Sequence, residues 1–263
     1  GSDGVLRGHE FIRATMRSAA RLTYEQVQQA RDGAPDADTA PLATRVIEPL
    51  YGAYKALLKA REARGTLDLD LPELAISLGQ DGHVAAIAPR PRLDSHRLIE
   101  EFMILANVAA AETLIAKKVP QLFRVHEEPP QDKLESLRDT ADAAGLTLAK
   151  GQVLKTAHLN KLLHDAAGTE ESELINLATL RSMTQAYYSP KNFGHFGLAL
   201  QNYAHFTSPI RRYSDLIVHR GLIAAHGWGD DGLSPDDIDK LEPTAAHISD
   251  TERRSMVAER DTT

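Results

Sequence analysis

Apolar residues recur at helical spacing along most of this 263-residue chain, whereas a single stretch alternates apolar and polar residues as strands do. The alternating stretch, 66–88, lies on both sides of "GQDG", a sequence typical of a hairpin turn. No strand-helix alternation suggests a doubly wound sheet. The pattern therefore predicts an α+β fold that is predominantly helical and has a small antiparallel sheet. The helical pattern covers 42–65, 94–118, 131–145, 157–167, 170–187, 209–226 and 235–261.

Local signals predict where several helices begin and end. Thr23 and Gln26 stand where a capping box starts a helix, and Gly33 follows at its end. Pro49 interrupts the pattern 42–65 and predicts either a kink or a new helix start. Gly145 is expected to end the helix that begins near 131.

Charge and the lack of cysteine exclude several kinds of protein. Thirty Lys+Arg against 37 Asp+Glu give a formal net charge of -7, so no general attraction draws this surface to phosphate. Any nucleic-acid site must therefore be local. A chain without cysteine has neither a disulfide framework nor a thiolate zinc site. No apolar run reaches the length of a membrane span, so we expect a cytoplasmic protein with no membrane partner.

The stretch "HFTSPIRRYSDLIVHR", 205–220, concentrates cations in a chain that is acidic overall. Ser208 is a good N-cap and Pro209 suits the first helical position, which places Arg211 in the first turn of a helix. An arginine beside a helix N-terminus is electrostatically unfavourable unless an anion binds there, and its planar guanidinium suits phosphate. The alternative is structural: one arginine pairs with Asp215 while the other is solvated. Both interpretations remain open on the local pattern.

Two histidines of the same stretch, His205 and His219, have no recognised metal-ligand spacing. Lone histidines are more often hydrogen-bonded structural residues. We therefore expect no metal site from them.

A helical wheel of 98–114 separates the glutamates of that segment. Glu101 and Glu112 fall on one narrow face, which is expected to be solvated. Glu100 and Asn107 fall on the opposite, more apolar side. A carboxylate buried there needs a cation, hydrogen-bond donors or a ligand cavity, so Glu100 is the candidate binding residue, with a structural ion pair as the alternative.

The last helical pattern places Glu252, Met256 and Glu259 along one stripe, with arginines nearby at 253, 254 and 260. Taken alone, this arrangement is typical of an exposed face with salt bridges.

Several segments together resemble the ribonuclease II / ribonuclease R family and its RNB domain. The most specific is "NFGHFGLALQNYAHFTSPIRRYSDLIVHR", 192–220, with Ser214 where a proline is common. The resemblance spans nearly the whole chain and implies that residues 1–263 are the C-terminal part of an RNB domain. We expect a piece of a longer protein, because the sequence begins without methionine and ends within a helical pattern. The other matching segments, in the family's order, are "SAARLTYEQV", "RGTLDLDLPE", "IEEFMILAN" and "AERD".

The resemblance implies roles for four residues. Tyr24 of "RLTY" matches a tyrosine that contacts RNA near the scissile end, and Glu100 of "IEEFM" matches a residue that binds the terminal nucleotide. Arg211 of "SPIR" matches an arginine that holds phosphate and supports catalysis. Glu259 of "AERD" matches another substrate contact in the active site, whereas Arg212 is expected to be structural.

The family's chemistry implies a Mg²⁺-dependent hydrolase that degrades single-stranded RNA from its 3′ end. Four aspartates of the form D-x5-D-x-D-D are expected to hold the metal ions. This sequence lacks that cluster: the acidic stretch 230–239 has another spacing, which Ser234 and Pro235 explain as an acidic helix start. Asp68 and Asp70 stand alone in a predicted strand. We therefore predict RNA clamping without metal binding or activity; the alternative is a non-catalytic RNB-like RNA-binding or scaffolding protein.

Overall fold

Helices dominate the computed structural model, which describes residues 1–69, 74–79, 81–89, 92–149 and 154–262. Four short strands accompany them, which confirms the predominantly helical α+β fold. The helices are α1 Tyr24–Arg31, α2 Glu48–Arg64, α3 Asp94–Ala116, α4 Gln131–Ala143, α5 Thr156–Ala166, α6 Ser172–Ser182, α7 Tyr213–His226, α8 Pro235–Asp239 and α9 Leu241–Thr262. The strands are β1 Leu74–Leu78, β2 Val84–Pro89, β3 Phe123–Val125 and β4 Tyr187–Ser189.

The predicted start of α1 is confirmed. The Thr23 hydroxyl accepts a hydrogen bond from the Gln26 amide at 3.2 Å, and the Gln26 side chain accepts one from the Thr23 amide at 2.9 Å. Pro49 lies in the first turn of α2, and a π-helical turn, Ala43–Ile47, leads directly into it with a helical backbone. Gly65 ends α2 with φ of 77°, a left-handed conformation that favours glycine.

Helix α3 packs against three others, α1, α2 and α7. Its buried Leu114 packs with Val125 of β3 and Val218 of α7. Gly221 allows this close approach, because a Cβ there would come within 3.2 Å of a Leu114 methyl group. A separate core forms between α4, α5 and α6 around residues such as Leu159 and Ile175. Helix α3 therefore links the elements on which the candidate site is built.

Two antiparallel sheets are present in the described residues. The predicted hairpin is confirmed as β1 and β2, with Ile76 opposite Ile87 in the register. Part of the predicted alternating stretch, 70–73 and Gln80, lies outside the described residues. The second sheet pairs β3 with β4, with Arg124 opposite Tyr188. The sequence did not predict this sheet, because strands of three residues are too short to show a period.

Three helix boundaries differ from the prediction. The pattern 170–187 ends as a helix at Ser182, and its last residues lead into β4. Helix α7 begins at Tyr213 rather than at 209. The pattern 235–261 contains two helices, α8 and α9, separated at Lys240. The early start predicted for α7 came from Ser208 and Pro209, which form a turn before the helix instead of its cap.

Candidate nucleic-acid interface

Arg211 lies in a tight turn before α7, not in the first turn of a helix as the sequence predicted. The Ser208 carbonyl accepts hydrogen bonds from the amides of Arg211 at 3.2 Å and Arg212 at 3.1 Å. Residue 212 is the N-cap of α7, so Ser208 is not. Ile210 and Arg211 are exposed at the tip of this turn. We call residues 208–212 the arginine turn.

Asp215 holds the arginine turn from inside the protein. Its side chain is completely buried and accepts hydrogen bonds from the Ser208 amide and the Arg212 guanidinium, both at 2.7 Å. The Ser214 hydroxyl also donates to it at 3.2 Å. The ion pair expected between Asp215 and one arginine is therefore present, and it involves Arg212. Within the described part of the chain, the side chain of Arg211 has no ion-pair partner.

A series of ring side chains in edge contact lies behind the arginine turn. Neighbouring ring centroids are 5.1 to 5.8 Å apart. Burial lowers the pKa of His195 to about 3 and that of His205 to about 2, so both are neutral at pH 7. In contact order, the series comprises His126, His195, Tyr203, His205 and Tyr188.

Three arginines surround His205, and their charges add to the effect of burial on its pKa. Arg124 lies over the Tyr188 ring at 4.7 Å and is held by Glu252 through two hydrogen bonds of 2.6 and 2.9 Å. Arg212 is neutralised by Asp215. Arg211 alone of the three has no ion-pair partner among the described residues. An anion at this surface would therefore be attracted mainly by Arg211.

Of the two neighbouring glutamates of α3, Glu101 is the more deeply buried, contrary to the prediction from the wheel. Glu101, expected to be solvated, is 5% exposed and binds Arg61 at 2.7 Å. The Glu100 side chain is 37% exposed and accepts a hydrogen bond from Arg92 at 2.6 Å, with Arg61 3.6 Å away. The wheel failed because α2 packs on the face that carries Glu101 and supplies Arg61.

A cavity of about 580 Å³ opens beside these glutamates, between α2 and α3 on one side and α5 and α6 on the other. Its lining includes Glu100, Arg61, Arg92, Arg97 and Asn160. We call this space the glutamate cleft. Glu100 therefore both meets a cation and faces a cavity, the two environments that the sequence left open.

Tyr24 lies at the start of α1, and its exposed ring stacks on His96 of α3 at 4.2 Å and 27°. His96 and Glu100 are four residues apart on α3, so they share one face of that helix. The structure thus places Tyr24 and Glu100 on the same part of α3.

Asn107 bonds helix α3 to the segment that precedes the arginine turn. It follows Glu100 by two helical turns, donates to the Tyr203 hydroxyl at 3.0 Å, and accepts from the Phe206 amide at 2.9 Å. The charge of Glu100 influences the pKa of Tyr203, and that of Arg211 influences the pKa of His205. Arg211 is nevertheless not among the residues that line the glutamate cleft, so that cavity is not shared by the two candidate residues Glu100 and Arg211.

Glu259 lies exposed near the end of α9. Glu252, seven residues earlier on the same helix, is the one that binds Arg124 of β3. At 1.5 Å per residue, Glu259 lies about 10 Å further along the axis. The contact of α9 with Arg124 is therefore made by Glu252, and Glu259 lies further along the helix.

The acidic stretch 230–239 has the structural role that the sequence indicated. Asp231 pairs with Arg13, Asp236 with Lys240, and Asp237 with Arg220. Hydrogen bonds from Arg220 and Ser234 hold the pKa of Asp237 well below its ordinary value.

Metal binding finds no support in the described residues: no three of their His, Asp or Glu side chains come close enough to hold a metal ion. The Nδ1 of His205 bonds to the Tyr188 hydroxyl, and the Nε2 of His219 bonds to the Phe206 carbonyl. Asp68 lies outside any strand, and Asp70 is outside the described residues. No helix in the described ranges has the length and apolarity to cross a membrane.

Sequence reasoning missed several residues of this region. Arg124 carries no local signal, because it lies in a segment without periodicity. His195, Tyr203 and His205 are closely spaced ring residues within the segment 192–220, and that density was the available signal. Glu252 was noticed but interpreted as part of an exposed stripe.

Comparison with known proteins identifies the family. The model of the RNB domain matches residues 1–226. Ribonuclease R of Escherichia coli is 39% identical over 270 residues, which cover 99% of this chain and 33% of the relative. The chain belongs to the RNB domain family. Ribonuclease R proteins belong to the same family, so this RNB chain has exoribonuclease relatives.

Solved structures agree with this RNB assignment. Mycoplasma genitalium RNase R in complex with ribose methylated single-stranded RNA matches with a TM-score of 0.81 and 27% identity, over 90% of this chain and 38% of that one. Yeast Ssd1, a pseudonuclease, shares the fold with a TM-score of 0.62 and 22% identity, over 86% of this chain and 27% of that one. This RNB chain thus spans about one third of the length of the curated relatives it matches.

Proposed function

We propose that this RNB chain grips the 3′ end of single-stranded RNA for a hydrolytic 3′-to-5′ exoribonuclease. The observation that carries the proposal is Arg211, exposed on a tight turn and without an ion-pair partner among the described residues. A guanidinium offers paired donors that match two phosphate oxygens. Arg211 would bind the phosphate under attack and stabilise the charge that develops there.

The net charge of -7 supports a local grip rather than general attraction to RNA. The glutamate cleft would take the terminal nucleotide, with Glu100 accepting hydrogen bonds from it. The Tyr24 ring, already stacked on His96, would stack on a base with its other face. Glu259 would contribute a further substrate contact.

Metal chemistry is proposed to reside elsewhere in a longer polypeptide. Hard cations such as Mg²⁺ need several carboxylate oxygens, and the described residues do not supply such a group. We propose that this chain is the C-terminal part of the RNB domain and that a D-x5-D-x-D-D cluster outside it holds Mg²⁺. The 263 residues alone would bind RNA without hydrolysing it.

RNA binding tests the clamp directly. We expect this chain to bind a fluorescent single-stranded RNA oligomer in an anisotropy titration, and Arg211→Ala to weaken binding about tenfold or more. Lys240→Ala is the control, because it removes one exposed cation that is paired with Asp236 on the far helix α8. No binding by the unsubstituted chain, or equal losses in both variants, contradicts the clamp.

Incubation with single-stranded RNA and Mg²⁺ tests the predicted inactivity. We expect no release of mononucleotides from the 263-residue chain. Release that survives repurification and disappears with Arg211→Ala would show that the chain holds its own metal site.

A non-catalytic RNB-like RNA-binding or scaffolding protein is the second candidate, and the shared fold with the pseudonuclease Ssd1 favours keeping it. The longer polypeptide separates the two. A D-x5-D-x-D-D cluster together with Mg²⁺-dependent hydrolysis supports the exoribonuclease, whereas RNA binding without that cluster supports the alternative.

A further inference from the structure

The arginine turn is held on both sides by contacts with side chains that are buried or partly buried. On the upstream side, the side-chain oxygen Oδ1 of Asn107 accepts from the Phe206 amide at 2.9 Å, and the His219 ring stacks on the Phe206 ring at 4.3 Å. On the downstream side, the carboxylate of Asp215 is the anchor, and its side chain has no exposed surface. The exposed tip between them carries Ile210 and Arg211.

Asp215 closes the turn through Ser208. One carboxylate oxygen, Oδ1, accepts from the Ser208 amide and from Arg212 Nη2, both at 2.7 Å. The Ser208 carbonyl in turn accepts from the amides of Arg211 and Arg212. Both backbone groups of Ser208, its N–H and its C=O, are thus hydrogen-bonded. The amide of Arg211 is part of the same network.

From this network we propose that Asp215 is a positioning residue that acts on RNA through Arg211. It neutralises Arg212, so that Arg212 neither repels Arg211 nor competes for the phosphate, and it fixes the turn that presents Arg211. A buried carboxylate with three donors has little freedom to move, so the guanidinium of Arg211 starts from a restricted backbone. The inference rests on the proposed function, because it assumes that Arg211 binds RNA.

A double-mutant cycle tests the proposal. Four forms of this chain are compared in RNA anisotropy titrations: unsubstituted, Arg211→Ala, Asp215→Asn and the double variant. Asparagine keeps the size of the side chain and an acceptor for the Ser208 amide, but it removes the charge that pairs with Arg212. We expect Asp215→Asn to weaken binding about tenfold when Arg211 is present and less than about twofold when it is absent.

A structural role without positioning gives a different result. If Asp215→Asn weakens binding by the same factor in both backgrounds, or does not weaken it at all, the positioning role is wrong. If Arg211→Ala has no effect, the clamp proposal falls together with this inference. An effect of Arg211→Ala without coupling to Asp215 overturns this inference alone.

Hydrogen exchange supplies a readout that does not depend on RNA. We expect faster amide exchange in residues 207–212 of Asp215→Asn and unchanged exchange in Arg211→Ala; equal exchange in both variants contradicts the proposal.

Should Asp215→Asn fail to fold, Arg212→Lys replaces it, because it keeps the charge but loses the fork that reaches Asp215. Arg212→Lys is then combined with Arg211→Ala in the same double-mutant cycle. We expect Arg212→Lys to weaken RNA binding when Arg211 is present and to have little effect when it is absent.

Discussion

The arginine turn and the glutamate cleft both present a charged side chain to solvent, but they hold it in different ways. At the turn, Asp215 neutralises Arg212, and nearby Glu252 neutralises Arg124 of β3, whereas Arg211 has no ion-pair partner among the described residues. In the cleft, the candidate residue Glu100 is itself paired with Arg92. Under the proposed function, an anion at Arg211 would have no described ion pair to break, whereas a ligand of Glu100 would have to displace Arg92.

Because of this difference, the free-energy cost of binding a ligand would differ between Arg211 and Glu100. A phosphate at Arg211 would displace no ion-pair partner in the described part of the chain. A nucleotide at Glu100 competes with Arg92, but that pair is half-exposed and is worth no more than about 1 kcal/mol. A ligand of Glu100 would therefore meet a cost of at most about 1 kcal/mol that a ligand of Arg211 does not meet.

The largest expected effect on stability comes from removing the buried carboxylate that holds the arginine turn. Asp215→Ala leaves the Arg212 guanidinium and the Ser208 amide without their acceptor inside the protein. Loss of one partner of a buried pair costs about 3–5 kcal/mol of the free energy of unfolding. Urea denaturation of the purified chain measures it.

Arg92→Ala is the matched control for that experiment, because it breaks the exposed ion pair of the cleft. We expect a loss under about 1 kcal/mol. If the two variants lose equal stability, the turn and the cleft do not differ as described.

The difference between the two regions was only partly visible in the sequence. The cation-rich stretch, its candidate Arg211 and the possible pairing with Asp215 follow from residue types and spacing. The register was wrong, because Ser208 and Pro209 fit a helix cap equally well as a tight turn. The hydrogen bond from the Ser208 amide to Asp215 decides between them, and it depends on the packing of α7.

The cleft was harder to predict because its contacts are distant in the chain. A wheel of α3 shows which residues share a face, but it does not show which face meets α2. Arg61 is 40 residues from Glu101, and its position decides which glutamate is buried. The short sheet of β3 and β4 escaped prediction for a related reason, since three-residue strands are stable only through partners from remote segments.

A second prediction concerns the pH dependence of stability, which we expect to arise from the two buried histidines behind the arginine turn. Burial lowers the pKa of His195 to about 3 and that of His205 to about 2, against 6.5 as the ordinary value. Below pH 6.5 the unfolded chain binds protons that the folded chain does not, so stability falls as the pH drops toward 3. Each histidine contributes about 1.4 kcal/mol per pH unit, or about 2 kcal/mol at pH 5.

Urea denaturation at pH 7.5, 6.5 and 5 measures this slope. We expect His205→Gln, which removes one of the two buried imidazoles behind the turn, to reduce the slope by about 1.4 kcal/mol per pH unit. A slope that is unchanged in the variant would show that folding does not lower the pKa of His205.

The smallest expected effect distinguishes the two glutamates of the cleft. Glu101→Gln keeps an acceptor for Arg61 but loses the charge of a carboxylate that is 5% exposed. Hydrogen bonds to charged groups exceed neutral ones by about 1 kcal/mol, and this is the expected loss of unfolding free energy.

Glu100→Gln affects a half-exposed pair and is expected to cost only a few tenths of a kcal/mol. Its effect appears instead in RNA affinity, which Glu101→Gln should leave nearly unchanged. Reversed results, with stability dependent on Glu100 and RNA affinity on Glu101, would mean that the two residues exchange roles and that the cleft binds its ligand through the deeper carboxylate.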